Sequence, residues 1–146
     1  MADDFNNRST SGEATHETLQ RTYGESRASY CKTNITVAAD VEAAVAHCVD
    51  KFGRLDIMVN NAGISVESTH TRVMGVADTS EEDWDLTMAI NAKGVFLGCK
   101  YAVRQMMKQA AKEGERDKGW IVNTASVQGL VAYYGTREYF SERTLV

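Results

Sequence analysis

Leu55-Asp56-Ile57-Met58-Val59-Asn60-Asn61-Ala62-Gly63 is the stretch whose reading decides the fold. Its first five residues form a short, mostly apolar run, the composition of a strand buried on both faces of a parallel sheet. The Asn-Asn-Ala-Gly that follows favours a turn and permits unusual backbone angles. Immediately upstream, Val37, Val41, Val45, Cys48, Val49 and Phe52 recur at helical spacing, with Thr36 placed to cap the helix and Gly53 to stop it. Before them, Ser29 to Ile35 reads as another short strand. Downstream, Ser80 with Asp83 three residues on marks a helix start. Trp84, Met88, Val95, Cys99, Val103 and Met106 then keep one apolar stripe running to about Lys112, and Gly114 ends it. Trp120-Ile121-Val122-Asn123-Thr124-Ala125-Ser126 is a second buried-strand candidate, and a short helix is expected from Glu138. Strand, helix, strand, helix, strand, helix is the alternation of an α/β protein with a parallel sheet. Ligands in such sheets sit beyond the carboxyl ends of the strands, where Asn60 to Gly63 and Ser126 both fall.

Composition narrows the partners. The chain has 146 residues, 43% hydrophobic and 25% charged, with a formal net charge of −4. These values exclude wholesale disorder and argue against the basic face that nucleic-acid binding needs. The longest uncharged apolar run, around Gly94 to Cys99, is too short to span a bilayer, and the acidic start Met1 to Phe5 is no secretory signal. Cys31, Cys48 and Cys99 are widely spaced in apolar patterns, which fits free thiols in a reducing, cytoplasmic compartment. His16, His47 and His70 have no ligand spacing, so no metal site is expected. Residues 1–28 form a polar segment, disordered or loosely helical around Ala14 to Tyr23. The first 27 of them carry eight charged side chains and seven Ser or Thr. Residues 29–146 form the folded domain. Proline is absent, although average usage would give about seven in this length.

Ser126, Tyr139 and Arg143 are the candidate chemistry. On a helix, Tyr139 and Arg143 would share a face about 5–6 Å apart. A fixed cation beside a phenol favours the phenolate and lowers a pKa that is otherwise near 10. A serine hydroxyl nearby would hold a carbonyl or alcohol oxygen in line with that phenol, an arrangement for proton transfer. A tyrosine packing its ring while an arginine snorkels produces the same spacing.

Several motifs in order resemble the short-chain dehydrogenase/reductase family. Phe52 to Ile64 resembles its fourth strand and Asn-Asn-Ala-Gly signature. Asp83-Trp84 and Ile90-Asn91-Ala92-Lys93-Gly94-Val95-Phe96 resemble its long interface helix, and Ile121 to Ser126 its fifth strand. The resemblance implies a partial Rossmann-like doubly wound sheet retaining strands three, four and five. It implies an oxidoreductase with NAD or NADP, NADP favoured, acting on a small-molecule alcohol or ketone. It implies a homo-oligomer through the helix Ser80 to Lys112. By position, Tyr139 would be the general acid/base, Ser126 would orient the substrate oxygen, and Asn91 would support the proton relay. Asn60, Ala62 and Gly63 would line the adenosine side, Lys93 would contact the cofactor, and Asn34 stands where an adenine-contacting aspartate is usual.

Three departures accompany the match. The family's Tyr-x-x-x-Lys reads Tyr139-Phe140-Ser141-Glu142-Arg143, and a planar guanidinium does not replace a compact ammonium. The glycine-rich turn that holds a pyrophosphate has only a faint echo in Thr10-Ser11-Gly12, and Gly94 with Gly98 is expected to be a close-packing pair on a helix. The pattern ends before the sixth strand, so a chain truncated at both ends is expected, with an unpaired first strand and an exposed edge on the next. The alternative to an enzyme is a catalytically silent fragment that at most associates with other subunits.

Overall fold

The structure, a computed structural model, describes residues 12–66 and 76–127. Helix α1, Thr15–Tyr23, buries none of its residues, as its polar composition requires. Helix α2, Ala38–Phe52, ends at Gly53, whose φ of 84° is the left-handed cap conformation glycine adopts without strain. Its start corrects the expected cap. Val37 holds the N-cap position with no side-chain hydrogen bond, and the Thr36 hydroxyl instead donates to Asn34 Oδ1 at 2.8 Å.

Strands β1, Ile57–Asn60, and β2, Trp120–Asn123, pair in parallel with Ile57 opposite Trp120 and Asn60 opposite Asn123. Bonds from Trp120 N–H to Asp56 O (2.8 Å) and from Thr124 N–H to Asn60 O (3.0 Å) extend the ladder at both ends. A parallel pair needs a crossover, supplied here by helix α3, Glu81–Thr87, a π-helical segment, Met88–Lys93, and helix α4, Gly94–Lys108. Ser80 caps α3 as its sequence indicates, accepting from Asp83 N–H at 3.0 Å. The expected single stripe to Lys112 is corrected: the π segment adds a residue to one turn, and Trp84 and Val103 face solvent while Thr87, Ile90, Asn91, Leu97, Tyr101 and Met106 turn inward.

The core lies between one face of the sheet and two helices. Val41 and Val45 of α2 meet Leu97, Tyr101, Ala102 and Met106 of α4, with Leu55, Met58 and Ile121 beneath. The other face is bare. Ile57, Val59, Trp120 and Val122 are each at least half exposed, so the expectation of strands buried on both faces is corrected: helices cover one side only among the described residues. Ser29 to Ile35 forms no strand and joins no ladder among the described residues, which leaves a two-stranded sheet and agrees with the expectation that this segment would find no pairing neighbour; Ile35 packs against Gly94 of α4.

Candidate cofactor site at the carboxyl ends of the strands

The site grows from the last residues of β1 and β2. Because the register sets Asn60 opposite Asn123, their side chains meet: Asn60 Nδ2 donates to Asn123 Oδ1 at 2.8 Å and to Cys99 Sγ at 3.5 Å. One step further, Thr124 Oγ1 donates to Asn61 Oδ1 at 3.0 Å. These two clasps join the strand ends and hold Asn61 where the chain leaves β1. Asn123 and Thr124 were not singled out in the sequence, because only the parallel register brings positions 63 residues apart into contact.

Asn91 is fully buried in the π segment. Its Nδ2 donates to Ile64 O and its Oδ1 accepts from Ile64 N–H, both at 2.8 Å. One amide thus satisfies both polar groups of a partly buried peptide position and holds the loop that leaves β1. π segments frequently occur at functional sites, and this one carries both Asn91 and the exposed Lys93.

Gly94 and Gly98 form the close-packing pair expected of them. A Cβ on Gly94 would come within 2.7 Å of Ile35 Cδ1, and one on Gly98 would overlap the Asn60 amide. Beside them a cleft of about 290 Å³ opens between the Thr33–Ile35 segment and β1, lined also by Asn60, Asn61, Ala62 and Cys48. Burial pushes the Cys48 thiol above its ordinary pKa, with the Asp56 charge adding to the effect. Asn34 lies between two lining residues, in the turn that precedes α2. Ser126 is half-buried three residues beyond β2, at the same rim. Tyr139 and Arg143 lie outside the described residues. The structure therefore brings Asn60, Ala62, Gly63, Asn91 and Ser126 to one end of the sheet, with Asn34 across the cleft. Among the described residues there is no cluster of potential metal ligands, and no helix is long and apolar enough to cross a membrane.

Residues 5–142 match the family model of the short chain dehydrogenases. The chain belongs to the short-chain dehydrogenase family. Over 95 residues it is 50% identical to an uncharacterized oxidoreductase of Thermotoga maritima, covering 65% of this chain and 33% of that protein. It is 38% identical over 116 residues to 2-(R)-hydroxypropyl-CoM dehydrogenase of Xanthobacter autotrophicus, covering 79% of this chain and 42% of that one. Among solved short-chain dehydrogenase folds, sorbitol-6-phosphate 2-dehydrogenase of Erwinia amylovora superposes with a TM-score of 0.74 at 26% identity, over 88% of this chain and 46% of the other. ElxO with NADP bound superposes at 0.70 with 28% identity, over 88% and 48%. The chain thus spans a third to a half of the length of these relatives.

Proposed function

We propose that this chain is the cofactor-facing part of an NAD(P)-dependent oxidoreductase that interconverts an alcohol and a ketone. The observation that supports this most is the convergence of Asn60, Asn61, Asn91 and Ser126 at the carboxyl ends of parallel strands, beside a cleft that Gly94 and Gly98 help to line. At about 290 Å³ the cleft sits at the lower end of the ~300–1,000 Å³ typical of small-molecule sites, which suits a nucleoside rather than a whole dinucleotide. Its mostly apolar lining, with Asn60 and Asn61 among the few polar side chains and Gly94 and Gly98 beside them, fits the adenosine portion. Asn34, Asn60, Ala62, Gly63 and Lys93 would hold that side. When bound, the dinucleotide supplies hydride transfer, and the protein supplies orientation and proton exchange. NADP is favoured over NAD, in keeping with the NADP held by ElxO.

In this reading Ser126 orients the substrate oxygen and Tyr139 exchanges its proton, with the Arg143 cation favouring the phenolate. Asn91 supports the relay at one remove, by fixing the loop at Ile64. The α3–α4 helix carries a homo-oligomer contact. Phe96, Val103 and Met107 form an exposed apolar stripe on α4, and antiparallel pairing of two copies would set the acidic first turn of α3 against Lys100, Arg104 and Lys108. The bare sheet face favours a second reading, a catalytically silent association module. Titration of NADH and of NADPH into the purified chain, followed by nicotinamide fluorescence, separates the two. Saturable micromolar binding is expected; no saturation up to millimolar dinucleotide would leave only the silent module.

A further inference from the structure

We propose that Asn123 and Thr124 are positioning residues: by clasping Asn60 and Asn61 they set the spacing between the turn after β1 and the segment that leads from β2 to Ser126. The proposal rests on the dinucleotide-binding reading above and deepens it.

The bond from Thr124 N–H to Asn60 O, at 3.0 Å, is the last of the main-chain ladder among the described residues. Beyond it both chains run on as irregular backbone, so side chains must hold the ends together. Asn60 Nδ2 donates to Asn123 Oδ1 at 2.8 Å, and Thr124 Oγ1 donates to Asn61 Oδ1 at 3.0 Å. Alternation along the strands puts Asn60 and Asn123 on the helix-covered face, two residues after Met58 and Ile121, and the next pair on the other face. The strand ends are thus tied from both sides. On the helix side the fit is close: a Cβ on Gly98 would overlap the Asn60 amide, and the Cys99 thiol stands 3.5 Å from Asn60 Nδ2 and 3.6 Å from Asn123 Oδ1.

The two ties connect the two halves of the site. Asn61 lies between Asn60 and Ala62, which would hold the adenosine side, and Thr124 lies two residues before Ser126, which would orient the substrate oxygen. Without a tie, binding must itself order the turn, and that cost comes off the affinity. Both bonds are exposed, which sets the loss at roughly fivefold for each.

The test is fluorescence titration of NADH into the full chain and its variants, well below their melting temperatures. Thr124→Val keeps the shape and removes the donor; Thr124→Ser keeps the donor. Valine suits a strand better than serine, so a merely structural role ranks Val above Ser. The proposal expects the reverse: Thr124→Ser within twofold of the unsubstituted chain and Thr124→Val about fivefold weaker. Asn123→Leu, which removes the other tie, should also weaken binding about fivefold, and the double variant more than either single one. Affinity unchanged in Thr124→Val and Asn123→Leu, or Ser as weak as Val, overturns the proposal while leaving the binding site standing. If the unsubstituted chain binds no NADH, the dinucleotide reading falls and this proposal with it.

Discussion

At the scale of single residues, the buried amide of Asn91 is the strongest commitment in the site. Asn91→Ala removes both bonds to Ile64 and leaves a partly buried N–H and C=O without those partners, at about 0.5–1.5 kcal/mol for each. Urea denaturation should therefore show a loss of about 1–3 kcal/mol; a change under about 0.5 kcal/mol would mean the loop is held by something else. Gly98 is constrained differently, by space. Gly98→Ala drives a methyl into the Asn60 amide and should lower stability by about 1–3 kcal/mol, with the Asn60–Asn123 clasp lost. A melting temperature unchanged by that substitution would contradict the close approach. Cys48 tests the burial of the cleft: its thiol is raised by desolvation, so its alkylation should rise with pH at an inflection above the ordinary thiol range. Labelling and mass mapping against pH reads this directly.

At the scale of elements, the end of the sheet opposite the site is tied by Gln109, where α4 ends. Its Nε2 donates to Leu55 O and Lys118 O, both at 2.7 Å, and its Oε1 accepts from Leu55 N–H at 3.2 Å. One side chain thereby links the segments entering β1 and β2. Beside it, Asp56 bridges Arg54 at 2.7 Å and Lys112 at 3.1 Å. Desolvation would raise the Asp56 carboxyl, but the hydrogen bonds from Lys112 and Arg54 outweigh it and hold the group below the usual carboxylate range. A lowered folded pKa means that this contribution is fully present above the unfolded value near 3.9 and is lost as pH falls through the folded one. The stability difference between the chain and Asp56→Asn should accordingly be constant near neutrality and shrink below about pH 4. A difference that grows on acidification would reverse the assignment. The helix start at Ser80 and the stop at Gly53 were legible because each depends on local geometry alone. The π segment was not, because its extra residue answers to Asn91 reaching Ile64, a contact 27 residues away.

At the scale of the whole molecule, the face of Ile57, Val59, Trp120 and Val122 and the edge of β1, both uncovered among the described residues, govern behaviour in solution. Exposed apolar strands with a free edge invite association. The chain should unfold with low cooperativity or self-associate at micromolar concentration, and Ile57→Thr with Val122→Thr, which keep β-branched shape, should shift it toward monomer. Light scattering coupled to size exclusion decides this; a monomeric, sharply cooperative melt at high temperature in the unsubstituted chain would refute it.

By itself the sequence determined the α/β alternation, the strand that ends in the Asn-Asn-Ala-Gly segment, the caps at Ser80 and Gly53, and the order of motifs that marks the short-chain dehydrogenase family. All of these are written in spacing and residue type over a few turns of chain. Only the tertiary structure decided that Asn123 and Thr124 belong to the site, that Asn91 spends its side chain on Ile64, and that Asn34 spends its oxygen on Thr36. Each depends on which distant group meets a given polar atom. Register and packing settle that, and local pattern cannot encode it.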